Sequence, residues 1–252
     1  MIFWVALRKE LLEAWRSYRV LMVAVVLVAF GLLSPLLAKL TPEFFKLLPQ
    51  GEEFARLVPA PTASDAVAQY LKNVSQFGVL LAVLMAMGIV AQEKDKGTAA
   101  LVLAKPMPRG AFLLAKFVAL AVTFLLSLAL AGASCYYYTW ILFRPLDFTG
   151  WLALNGLLWL FLLVYVALTL LCSTVARSQV VAGGLAFAGV VVLSILGAIP
   201  RLGQAMPGQL LTWGTRLAMG AQRHSWSALA VSLALLAAAL AAAWLSLRQQ
   251  EL

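Results

Sequence analysis

Few residues in this chain could carry chemistry, and nearly all of them lie outside its apolar runs. There is one histidine, His224, and there are two cysteines, Cys135 and Cys172, with no metal-ligand spacing between them. That inventory gives no basis for a histidine-based metal site or a Ser-His-Asp triad within one chain. Ser127, Ser194 and Ser232 sit in apolar runs without a titratable neighbour, so an intramembrane hydrolase finds no activated nucleophile. No G-x-x-x-x-G-K-[ST] phosphate loop occurs, and the chain is not expected to hydrolyse ATP alone. What remains is a charged run, Glu93, Lys94, Asp95 and Lys96, followed by Gly97 and Thr98. Basic residues alone would set membrane topology, whereas here acidic residues alternate with them. This run has the chemistry of a docking surface.

The elements that hold this run are set by composition. The chain has 252 residues, 63% hydrophobic and 12% charged. Soluble domains carry roughly 25% charged residues, and one soluble core of this length could not hide so much apolar side chain. Disorder is excluded by the same abundance of apolar residues. The mean hydropathy is +0.95, and the formal net charge is +9. In a polytopic membrane protein that excess of cations faces an anionic membrane surface rather than nucleic acid.

Crossing a bilayer takes about 20 apolar residues. Six runs qualify: Val20 to Ala38, Val74 to Ala91, Phe117 to Cys135, Trp151 to Cys172, Val180 to Ile199 and Ser227 to Leu247. The first is read as a retained span, because Glu10 and Glu13 precede it and no small-x-small cleavage site follows. None of the six contains Asp, Glu, Lys, Arg or His. Ion-coupled carriers keep such residues within the membrane, so the energy source is expected outside the spans. Asn155, the strongly polar group of the fourth run, is expected to make an interhelical hydrogen bond.

Loop charge predicts orientation. Segments 1–19, 92–116, 173–179 and 248–252 carry 11 Lys and Arg in 56 residues, against 8 in 77 for segments 39–73, 136–150 and 200–226. The denser set is expected inside, with both termini cytoplasmic. Tyr136, Tyr137, Tyr138, Trp140 and Trp151 then mark the outer rim; Trp15, Tyr18 and Trp244 mark the inner one. Cys135 and Cys172 fall a membrane thickness apart and cannot bond to each other.

The other segments have their own patterns. Residues 2–18 place Phe3, Leu7, Leu11 and Ala14 on one stripe, as an amphipathic helix lying along the inner interface does. Pro42, Pro49, Pro59 and Pro61 are expected to divide the 39–73 segment into short pieces. Thr62 or Ser64 is expected to cap a helix that starts at about Asp65 and continues into the second span. Residues 200–226 are too short and interrupted to span, and suit one or two short helices at the outer interface. Ala182 with Ala186, and Gly184 with Ala188, give small-xxx-small spacing in the fifth run, read as packing within the chain. Between spans two and three, an amphipathic helix capped near Thr98 is expected to end at Pro106 and Pro108, with a new helix from Arg109.

That connection resembles the signature of ABC-2 type permeases, the membrane subunits of ATP-binding-cassette exporters. The residues carrying the likeness are Glu93, Gly97, Thr98, Leu101 or Leu103, Pro106, Arg109 and Lys116. The likeness extends to the inner helix with Arg8, Lys9 and Glu10, the six spans and the outer segment before span six. It implies an all-α membrane protein: one transmembrane domain over 1–252, six transmembrane helices, an interfacial helix at 1–19, a short cytoplasmic coupling helix within 92–116 and a re-entrant outer segment. It also implies that two such units pair, as two copies or with a paralogue, and that each docks one ATPase subunit. ATP and Mg would be held by that partner, and no cofactor by this chain. The implied ATPase contacts are Glu93, Lys94, Asp95, Lys96, Gly97, Thr98, Leu101, Pro106 and Arg109, with Arg177 and Gln179 as a second contact in the Ser173 to Gln179 turn. Spans two and five would line the path between the halves.

Three rival readings stand beside this one. A secondary carrier is disfavoured by the uncharged spans and the lack of a visible internal repeat. An intramembrane enzyme lacks its nucleophile and base. Force transmission to an envelope protein keeps the family and changes the role, and the outer segments are long enough to serve it.

Overall fold

A computed structural model describes residues 2–46, 60–95, 108–143, 146–221 and 225–249. Among them every regular element is helical. The first helix, α1 (Ile2–Arg16), buries Leu7 against Ala115 and Ala119, with Phe3, Ala6 and Leu11 partly covered beside it. An elbow at Ser17 and Tyr18 leads into α2 (Arg19–Lys46). Tyr18 sits there in the left-handed region at φ 58°.

Pro42 does not end α2, contrary to the expectation for the 39–73 segment. The helix runs through both Pro35 and Pro42 to Lys46. Each proline follows a hydroxyl residue that donates one turn back: Ser34 to the Phe30 carbonyl at 2.6 Å and Thr41 to the Leu37 carbonyl at 2.7 Å. The carbonyls that the two prolines leave without an N–H are those of Gly31 and Ala38, so these bonds act differently: a hydroxyl bond one turn back bends a helix, and a bend eases the proline ring against the preceding turn.

The next helix, α3 (Ala63–Ala86), begins behind Thr62, as its cap residue predicts. The Asp65 carboxylate accepts the Thr62 backbone N–H at 2.8 Å and its hydroxyl at 2.7 Å, one arm of a capping box. α3 stops four residues before α4 (Ala91–Asp95), so the second apolar run is broken at Met87–Val90. Then come α5 (Arg109–Leu142), α6 (Phe148–Val175) and α7 (Gln179–Ala198). A 3-10 turn (Gly203–Ala205), α8 (Gly208–Ala218) and α9 (Trp226–Gln249) complete the chain. Asp147 caps α6 by accepting the Gly150 N–H at 2.6 Å, and Ser178 caps α7.

Among the described residues, six helices are long and apolar enough to cross a membrane: α2, α3 with α4, α5, α6, α7 and α9. They are not equally enclosed. Two-thirds of the α6 span (67%) is buried, against 11% of α7, so α6 is the axis and α7 an outlying helix. In hydrocarbon, helices associate through close packing and interhelical hydrogen bonds rather than the hydrophobic effect. The glycines show where that happens. A Cβ at Gly31 of α2 would meet the Ala131 carbonyl oxygen of α5 at 2.4 Å, so the two backbones touch there. At Gly132 a Cβ would lie 2.7 Å from Asn155 Oδ1. Asn155 accepts the buried Tyr70 hydroxyl at 2.8 Å and joins α3 to α6, the interhelical bond expected of it. Such bonds are worth on average about 0.6 kcal/mol in membranes.

Within the segment before α9, helix α8 is packed into the bundle. Leu210, Trp213, Gly214 and Ala218 of α8 are buried, and a Cβ at Gly214 would approach Leu154 Cα at 3.1 Å. In α7 the Ala182 and Ala186 pair is buried within the chain, while Gly184 and Ala188 lie on its exposed side.

Candidate partner-docking site

The charged run begins in α4, and its surroundings converge at one end of the bundle. Three helices meet there on one lysine. Lys116, about two turns into α5 and one turn after Phe112, is only 2% exposed. Its ammonium lies 2.7 Å from Glu93 Oε1 on α4 and 3.0 Å from Glu10 Oε1 on α1, and stands 4.8 Å from the Phe112 ring centroid. A charge so enclosed persists only when paired and hydrogen-bonded, and two carboxylates provide that. Glu93 thus points inward.

The break between α3 and α4 is held by one hydroxyl. Ser173 of α6 accepts the backbone N–H groups of Val90 and Ala91, each at 3.1 Å, and donates to the Met87 carbonyl at 2.8 Å. A helix interruption at membrane depth must have its freed backbone groups satisfied by protein, and Ser173 does this for three of them. Its neighbour Thr174 accepts at its carbonyl from the Lys94 ammonium. The Gln92 amide donates to Gln179 Oε1, joining α4 to the start of α7. Of the charged run, Asp95 is exposed; Arg177, in the turn between α6 and α7, is exposed as well.

Arg109 opens α5 and closes α9. Its guanidinium donates to the Leu247 carbonyl at 2.7 Å and the Arg248 carbonyl at 2.8 Å, at a helix C-terminus where cations are favoured. The Trp244 indole lies beside Gly110. Lys96, Gly97, Thr98, Leu101 and Pro106 lie outside the described residues.

The structure therefore brings Glu93, Lys94, Arg109, Arg177 and Gln179 to one end of the molecule and shows internal partners for four of them. Sequence reasoning placed Glu93 in a partner's grip and missed Ser173 and the pairing of Glu10 with Lys116. A signal for the lysine existed: Lys116 is the last cation before a long uncharged run, flanked by Phe112, Leu113 and Phe117. No spacing rule connects it to Glu10, which is 106 residues away. The span serines share one local geometry. Ser127, Ser194 and Ser232 each donate to the carbonyl four residues back.

Six apolar helices on a glycine-tightened core, with the buried charge among the described residues confined to one end, define a multi-pass membrane protein. The chain matches the family described as ABC-2 family transporter protein over residues 4–252, and it belongs to that family. It is also similar to the "Uncharacterized transmembrane protein YxlG" of Bacillus subtilis (strain 168), with 29% identity over 175 residues, covering 68% of this chain and 67% of that protein. The chain is thus a permease component of an ABC transporter, as the likeness of its connection implied.

Proposed function

We propose that this chain is the permease subunit of an ATP-driven exporter, without catalytic activity of its own. It works as a pair of permease units, each docking one ATPase subunit that binds ATP and Mg. Both termini and residues 92–116 face the cytoplasm. The ATPase contacts the connection from Glu93 to Arg109, with Arg177 in the α6–α7 turn as a second point. The observation that carries this reading is the Lys116 junction. Both ends of the connection, Glu93 before it and Lys116 after it, are tied to each other and to α1. A push on residues 96–107 would then move α1, α4 and α5 as one body instead of being absorbed by a slack loop. Arg109 extends that body to the end of α9.

The test is reconstitution. The tagged chain is purified with its copurifying ATPase, placed in vesicles, and assayed for ATP turnover and cargo movement. Leu101→Pro breaks a helix in the connection at a cost of about 3 kcal/mol or more if that position is helical. The expected result is an assembled complex that hydrolyses ATP without moving cargo. Wild-type coupling in that variant, at normal expression, overturns the connection as the lever. Absence of any ATPase in the purified material overturns the reading as a whole.

A further inference from the structure

Two open grooves adjoin along α1. One is apolar: Trp4, Leu7, Leu11 and Leu12 line about 280 Å³ of space. The other is cationic: Arg8, Lys9 and Arg16 line about 660 Å³ together with Val5, Leu12 and Glu13. Arg8 and Leu12 belong to both linings, so the grooves meet there. The second lies within the size range of small-molecule sites, about 300–1,000 Å³.

The arginines of the second groove have charge to give. No ion pair between described residues engages Arg8 or Arg16. Lys9 stands 3.9 Å from Glu10 Oε1, which Lys116 holds more closely at 3.0 Å. Against these three cations, Glu13 is the carboxylate of the lining. The same side of α1 carries exposed apolar residues. Trp4 is 70% exposed and Trp15 71%, with Val5 and Leu12 exposed beside the arginines. Tryptophan interleaved with arginine suits a helix at the headgroup boundary of a membrane.

We infer that the two grooves together bind an anionic glycerophospholipid, with an acyl chain along Trp4, Leu11 and Leu12 and the phosphate headgroup among Arg8, Lys9 and Arg16. The inference requires the chain to be a membrane protein and is independent of ATPase coupling. Charge complementarity selects the occupant. Guanidinium groups match phosphate oxygens in bidentate pairs, and an anionic headgroup brings no cation of its own to oppose them. A zwitterionic headgroup does, and gains less.

The test uses the full-length chain in phosphatidylcholine vesicles, with added phosphatidylglycerol or phosphatidylcholine carrying brominated acyl chains. Bromine quenches nearby tryptophan, and the Trp4 contribution is the difference between the natural chain and Trp4→Phe. Brominated phosphatidylglycerol is expected to quench Trp4 at a lipid fraction about fivefold or more below that needed for brominated phosphatidylcholine. Arg8→Gln combined with Arg16→Gln should abolish the preference. Arg201→Gln combined with Arg216→Gln, which removes two exposed cations outside α1, should leave it intact. Raising salt should weaken the preference in the natural chain, a measurement that does not depend on any variant folding. Equal quenching by both lipids means ordinary lipid solvation and overturns the proposal. Quenching of Trp4 by neither lipid means that the grooves face a soluble partner, and overturns it too. So does a preference that survives high salt or the loss of Arg8 and Arg16, or one that both double variants lose alike.

Discussion

Lys116 Nζ lies 2.7 Å from Glu93 Oε1, although the whole connection between spans two and three separates them. The residues that flank the connection therefore meet at one point of the bundle. This geometry changes the energetic weight of Glu93. A surface ion pair is worth about 0–1 kcal/mol, whereas breaking an enclosed one costs about 3–5 kcal/mol.

Removing the cation should be the most disruptive change at this end of the molecule. Lys116→Met leaves two carboxylates facing each other and should destabilise by about 3–5 kcal/mol, the range for a broken buried pair. Lys116→Arg should recover part of the loss. Glu93→Lys, which sets two ammonium groups together, should be worse than Glu93→Gln. Thermal melting in detergent orders the four variants, and equal melting of Lys116→Met and the natural chain rejects the junction.

The break after α3 should depend on one hydroxyl. Ser173→Ala removes three hydrogen bonds to buried backbone, at about 1–3 kcal/mol for each group left unsatisfied. Ser173→Thr should keep part of the effect. Amide exchange at Val90 and Ala91 is the readout, and exchange as slow as in the natural chain would remove Ser173 from this role.

Glycine substitutions should separate close helix contacts from open ones. Gly31→Ala sets a methyl group 2.4 Å from a backbone oxygen, so α2 must move away from α5. Gly156→Ala meets nothing within 4 Å and serves as the control. Gly31→Ala should lower the melting temperature clearly and Gly156→Ala hardly at all. Similar melting of the two would reject the contact.

The α6 cap gives a prediction in pH. The Thr149 hydroxyl, followed by the Gly150 amide, holds the Asp147 carboxyl below its usual range. A depressed carboxylate contributes stability above its unfolded pKa and loses it as pH falls through the folded value. The cap should hold at neutral pH and weaken below the ordinary carboxylate range. Asp147→Asn should keep capping while abolishing that acid dependence, measured as melting against pH for both proteins. Identical pH profiles would exclude Asp147 as the titrating cap.

Much of the fold was legible because the bilayer imposes a length rule. Six apolar runs, the Thr62 cap and the helix beginning at Arg109 could be found from local signals alone. The interruption at Met87–Val90 could not, because the Ser173 hydroxyl that satisfies it comes from another helix. Pro42 misled because proline strongly disfavours helix interiors in water, whereas a membrane helix can run through it, as α2 does. At the Lys116 end of the molecule the charge run itself was readable. Its inward-facing member was not, since the orientation of Glu93 is decided by a lysine on α5 and not by neighbours in the run.

The junction on Lys116 also limits how this protein can be recombined. A graft of the 92–107 connection from a relative would replace position 93 and its setting while leaving positions 10 and 116 as they are. The three belong to separate stretches of chain but share one charge balance, a cation between two anions. A working chimera must therefore exchange the N-terminal helix, the connection and the start of α5 together. The natural unit of exchange is this three-stranded cluster and not the loop between two spans.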